Sequence, residues 1–167
     1  ANQGGAELLF QLDLLTRMAR DYPIDISTPV QLSALFGASI HATFRRWVES
    51  NASPVCGLAI DPKPLIDTPP TYRRYELVES ESWTQRYGPN RFPTRLDSSR
   101  HGFLAPLGLG GSTDINLSWG LPDRNAEMTT VKVQSLSNTY RVFVLLWLPT
   151  KESFIARHRA RPRLVVG

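Results

Sequence analysis

The stretch Met128 to Leu148, MTTVKVQSLSNTYRVFVLLWL, decides how the rest of the chain is read. In its first half Val131 and Val133 alternate with Lys132 and Gln134, the period of a strand with one wet face, predicted over Met128 to Ser135. Its second half, YRVFVLLWL, is almost wholly apolar and predicts a central strand over Tyr140 to Leu148. Between them Ser137-Asn138-Thr139 has the length and chemistry of a hairpin turn. Strands joined this way run antiparallel. Further candidates at Val55 to Ile60, Tyr72 to Glu79 and Asp114 to Ser118 extend the pair into a sheet.

Working towards the start, the texture changes near Asn51 to Pro54 from short β-branched runs to helical spacing, which places a domain boundary there. Ala6 to Arg20 sets Leu8, Leu12, Leu15 and Ala19 on one stripe and predicts an amphipathic helix that stops at Tyr22-Pro23. Ser27 to Ser50, STPVQLSALFGASIHATFRRWVES, then reads as two short helices meeting at a tight turn. Pro29 suits a first helical position, Leu32, Leu35 and Phe36 form an apolar face, and Gly37 supplies a positive-φ turn. Ser39 caps a second helix that carries Phe44, Trp47 and Val48. The fold expected is α+β: a helix-turn-helix-like module over 1–50, then a small antiparallel α/β sensor-like domain over 51–167 ending in a basic tail. Thr84 to Gly111, rich in Pro, Gly and Arg, reads as one long loop of the functional or mobile kind.

The formal net charge of +4 invites a nucleic-acid partner, but its distribution argues otherwise. Residues 1–50 hold four arginines against five acids, so the module that would read DNA is slightly acidic. The excess lies downstream, and is densest at Arg157, Arg159, Arg161 and Arg163. If the second helix entered a major groove, Ser39, His41, Arg45 and Arg46 would face it. A small anionic ligand would instead meet Arg86, Arg91, Arg95 and Arg100 of the long loop. No apolar run approaches the roughly 20 residues of a membrane span, and the opening lacks the pattern of a signal peptide. A cytoplasmic protein with no membrane partner is expected. The single cysteine, Cys56, allows no intrachain disulfide and sits in an apolar run, PVCGLAI, as a small hydrophobe. His41, His101 and His158 are scattered away from metal-ligand spacing, and Gly108-Leu109-Gly110-Gly111 reads as a turn, so no catalytic set and no metal or cofactor is expected within this chain.

Two stretches together resemble the ImmA/IrrE family of zinc metallopeptidases. Ala1-Asn2-Gln3-Gly4-Gly5-Ala6-Glu7-Leu8-Leu9-Phe10 is similar to the segment that closes the catalytic domain there, and LSALFGASIHATFRRWVES followed by PVCGLAI resembles the helical module and first strand after it. Beyond Asp61 the likeness is one of layout, a GAF-like sensor domain. Members carry a His-Glu-x-x-His helix with two zinc ligands and the general base, and a third carboxylate ligand ahead of the Ala-Asn pair. None of these is in this sequence, and Glu7 lies too far along to be the third ligand. The resemblance therefore implies a fragment: the non-catalytic regulatory and partner-binding part of a zinc-dependent metalloendopeptidase whose zinc belongs to an upstream domain and whose substrate is a repressor-type protein. Two alternatives stand beside it, a helix-turn-helix transcription regulator and a module for a small anionic ligand.

Overall fold

Residues 14–108 and 115–149 are described by a computed structural model. Three helices come first: α1 (Leu14–Asp21), α2 (Ser27–Phe36) and α3 (Ile40–Glu49). The strands β1 (Val55–Ile60), β2 (Ile66–Asp67) and β3 (Pro70–Glu79) precede α4 (Glu81–Tyr87) and β4 (Arg95–Asp97). A 3-10 turn at Gly102–Leu104 runs into α5 (Ala105–Gly108), and β5 (Asn116–Pro122), β6 (Met128–Ser137) and β7 (Val142–Trp147) complete the described chain. No helix among the described residues is long and apolar enough to cross a membrane.

All strand pairings are antiparallel, in the order β2-β3-β1-β7-β6-β5, with β4 on the edge of β3 opposite β2, and the sheet curls into a half-barrel. β1 and β7 pair from Val55↔Trp147 to Ile60↔Val142 and are buried along their whole length. Their unbroken apolar runs follow from having a core on each face. Val142, Val144 and Leu146 enter one core with Cys56, Leu58 and Ile60, while Phe143, Leu145 and Trp147 enter the other with Phe44, Trp47 and Val48 of α3. Helices and sheet therefore share a core. Gly57 lets them approach: a Cβ there would lie 2.5 Å from Phe44 Cε1 and 2.7 Å from Cζ. A side-chain clasp adds to the contact, since Ile26 N–H donates to Gln134 Oε1 (2.9 Å) and Gln134 Nε2 donates to Asp25 Oδ2 (3.1 Å).

Gly37 does end α2 with φ 62°, and Ser39 caps α3 by accepting the Ala42 N–H. Other expectations shift. Of the expected apolar face, Leu32 is buried and Phe36 packs against the core, but Leu35 is 64% exposed, because α2 turns Thr28, Pro29 and Ser33 inward beside Leu32. Pro29 takes the third helical position, as Asp25 accepts the Ser27 N–H and starts the turn earlier. The sheet strands begin or end within a few residues of the predicted bounds, with β5 running on to Pro122. Thr84 to Gly111 is not one long loop. Its described part, to Gly108, contains the end of α4, β4 and α5, and it buries Tyr87, Phe92, Leu96, Phe103 and Leu104 against the sheet face away from α3. The start of the first predicted helix, most of the Gly108 to Gly111 turn, Asp114 and the arginine tail lie outside the described residues.

Candidate functional site

α3 carries the residues expected to read DNA, and each has an intramolecular role. Ser39 Oγ accepts the Ala42 N–H at 3.1 Å as the cap. His41 Nε2 meets Glu76 Oε2 of β3. Arg45 Nε donates to Glu49 Oε1 at 3.0 Å, and its Nη1 lies 3.4 Å from Glu76 Oε1. Glu49 first, then Glu76, stabilise the charged guanidinium and raise its pKa above the ordinary arginine value. Arg46 Nη1 is 3.9 Å from Glu49 Oε2. Meanwhile Thr43, Phe44, Trp47 and Val48 face the core.

Glu76 stands beside an irregularity in the sheet. The β1–β3 register runs Ala59↔Glu76 and then Ile60↔Arg74, so Tyr75 is the extra residue of a bulge. Its ring is left 48% exposed and is covered by Arg141, whose Cζ lies 3.6 Å from the ring centroid, with Arg73 Cζ at 5.0 Å. Arg141 is held by the Tyr140 carbonyl at 2.6 Å and lies 3.5 Å from Asp61 Oδ1. Asn138 Oδ1 accepts the N–H groups of Tyr140 and Arg141 and so fixes the β6–β7 turn, leaving Tyr140 75% exposed. These elements enclose a cleft of about 430 Å³, walled by His41, Tyr75, Glu76, Tyr140 and Arg141 over the buried Phe143. Aromatic faces beside a guanidinium suit recognition of another chain. Of these residues His41 alone was expected from the sequence. The signal for the others is two tyrosines with arginine neighbours, Arg73-Arg74-Tyr75 and Tyr140-Arg141.

The loop arginines do not gather at one place. Arg86 Nη2 lies 3.8 Å from Asp123 Oδ2 and Arg91 Nη2 donates to the Pro122 carbonyl, so these two meet the β5–β6 turn. Arg95 lies in β4 opposite Arg73, and the Arg100 N–H bonds the Asp97 carbonyl. Hydrogen bonds from Ser99, helped by Arg100 and His101, hold the Asp97 carboxyl below its usual range. Cys56 is buried, and desolvation with a smaller contribution from Glu79 pushes its thiol well up, which fits a small hydrophobe rather than a nucleophile. Among the described residues no three His, Cys, Asp or Glu side chains are grouped to hold a metal ion. No family model matches this chain, and neither does any curated protein.

Proposed function

We propose that this chain is the non-catalytic regulatory region of an ImmA/IrrE-like metallopeptidase regulator, a helical module on a GAF-like sensor domain, and that it acts by binding a repressor-type protein. The family and the repressor-type partner rest on the sequence resemblance, and the observation that favours a connector over a DNA reader is the condition of α3. Its apolar side is in the core of the sheet, and its arginines and histidine lie against Glu49 and Glu76 of the same chain. A helix that reads a duplex must bring unneutralised positive charge to phosphates. Here the charge is offset internally, and α3 acts as a connector. Beside α3, the cleft keeps Tyr75 and Tyr140 exposed, next to an Arg141 that is itself paired with Asp61, and these are side chains of the types that concentrate binding energy at protein interfaces.

Anisotropy titrations of labelled duplex DNA and of a labelled repressor-type protein test this. The expected results are weak duplex binding, unchanged in an Arg45→Ala/Arg46→Ala variant, and partner binding weakened about tenfold by Tyr140→Ala. Loss of duplex binding in the double variant would reinstate the helix-turn-helix reading. Zinc-dependent cleavage of the partner by this chain would overturn the non-catalytic part.

A further inference from the structure

β3 and β4 place Arg73 directly opposite Arg95, with Tyr72 opposite Leu96 on either side of the same register. Tyr72 and Leu96 are buried together, so the next pair along, Arg73 and Arg95, projects from the other face of the sheet. Both arginines are exposed, and among the described residues neither has an acid within ion-pair distance. Like charges directly opposite one another destabilise a strand pair.

The pair continues into the cleft described above, because Arg73 reaches the Tyr75 ring that Arg141 covers from the β7 side. One continuous surface thus runs from Arg95 through Arg73, Tyr75 and Arg141 to Tyr140. Its charge is uneven. The β3–β4 end carries Arg73 and Arg95, with Asp97 two residues along β4 on the same face and bonded by the Ser99 N–H, and so has an excess of positive charge, whereas the cleft end holds Glu76 against His41 and Arg45, and Asp61 against Arg141. A nucleic acid strand, charged at every step, would run its phosphates past Glu76 and Asp61. A peptide can place acids at one end and an apolar side chain at the other.

We propose that the partner presents an extended acidic segment, whose carboxylates seat between Arg73 and Arg95 while an adjoining aromatic or aliphatic side chain enters the Tyr75–Tyr140 cleft over Phe143. Guanidinium pairs bind carboxylates in fork geometry, and the tyrosines supply contact area with little loss of side-chain freedom. This rests on the partner-binding reading of the cleft and narrows it to one partner chemistry.

The test uses a fluorescein-labelled synthetic peptide with four aspartates followed by a tryptophan, a second peptide with lysine in place of aspartate, and a labelled oligothymidylate of similar length. Proteins are the full chain, Arg73→Gln/Arg95→Gln, and Tyr140→Ala. The first variant removes a like-charge pair and also the Arg73 contact with the Tyr75 ring, two small effects of opposite sign, so its thermal midpoint should stay within a few degrees of the parent's, which keeps a loss of binding separate from a loss of folding. Expected is saturable binding of the acidic peptide that falls at least about tenfold in the arginine variant, falls again in Tyr140→Ala, and weakens with added salt. The lysine peptide should not bind. Equal acidic-peptide binding by parent and arginine variant overturns the proposal, as does tighter binding of the oligothymidylate through the same residues. If a repressor-type protein binds the parent and the arginine variant equally, the acidic-segment proposal falls and the regulatory reading stands. If the acidic peptide binds as expected while no repressor-type protein does, the regulatory reading falls alone.

Discussion

At Gly57 the ring of Phe44 occupies the space any larger residue would need, and Val48 Cγ2 stands 3.2 Å from the same point. Gly57→Ala should therefore destabilise the chain by about 1–3 kcal/mol, read as a lower urea midpoint, because α3 must move off β1 to admit the methyl group. Its neighbour Cys56 makes a different prediction. Burial favours the neutral thiol in the folded chain, whereas the unfolded thiol ionises near its ordinary value of 9.0. Above that pH the unfolded state releases a proton that the folded state keeps, so stability falls as pH rises. Comparing urea midpoints between about pH 8 and 10, the parent should show a steeper fall than Cys56→Ala, even though the variant starts lower.

Among the elements, α4 depends on a buried serine. Ser80 Oγ accepts the N–H groups of Val55 (3.0 Å) and Trp83 (3.2 Å) and donates to the Ser53 carbonyl (2.9 Å), tying the helix start to the first residue of β1. Ser80→Ala removes the cap and leaves a buried N–H unpaired, and equilibrium unfolding should show a loss of about 2 kcal/mol or more. β1, β6 and β7 were legible because six or more residues repeat one pattern, and Ser39 and Gly37 were legible because capping is local chemistry. β2 and β4 span two or three residues, too few for any period to register. α4 was hidden among polar residues, although Ser80 and Gly88 bracket it. The cleft could not be read in advance: a bulge sets Tyr75, a turn sets Arg141, and both depend on how distant strands align.

On the scale of the whole molecule, β1 and β7 divide two cores while belonging to both. Damage on the helical side should be felt across the sheet. Trp47→Ala, at a fully buried site in the α3 core, should cost about 3–5 kcal/mol, and near-ultraviolet and far-ultraviolet circular dichroism should lose their signals at one shared midpoint. Two separated midpoints would mean that the helices melt from the sheet as a unit of their own. The clasp at Gln134 bears on the same contact in another way. One side-chain amide accepts from Ile26 and donates to Asp25. Hydrolysis of that amide to a carboxylate would keep the acceptor, delete the donor and set a second negative charge against Asp25. The exchange of one nitrogen for one oxygen would then turn an attachment into a repulsion, so the junction between helices and sheet rests on the identity of a single atom.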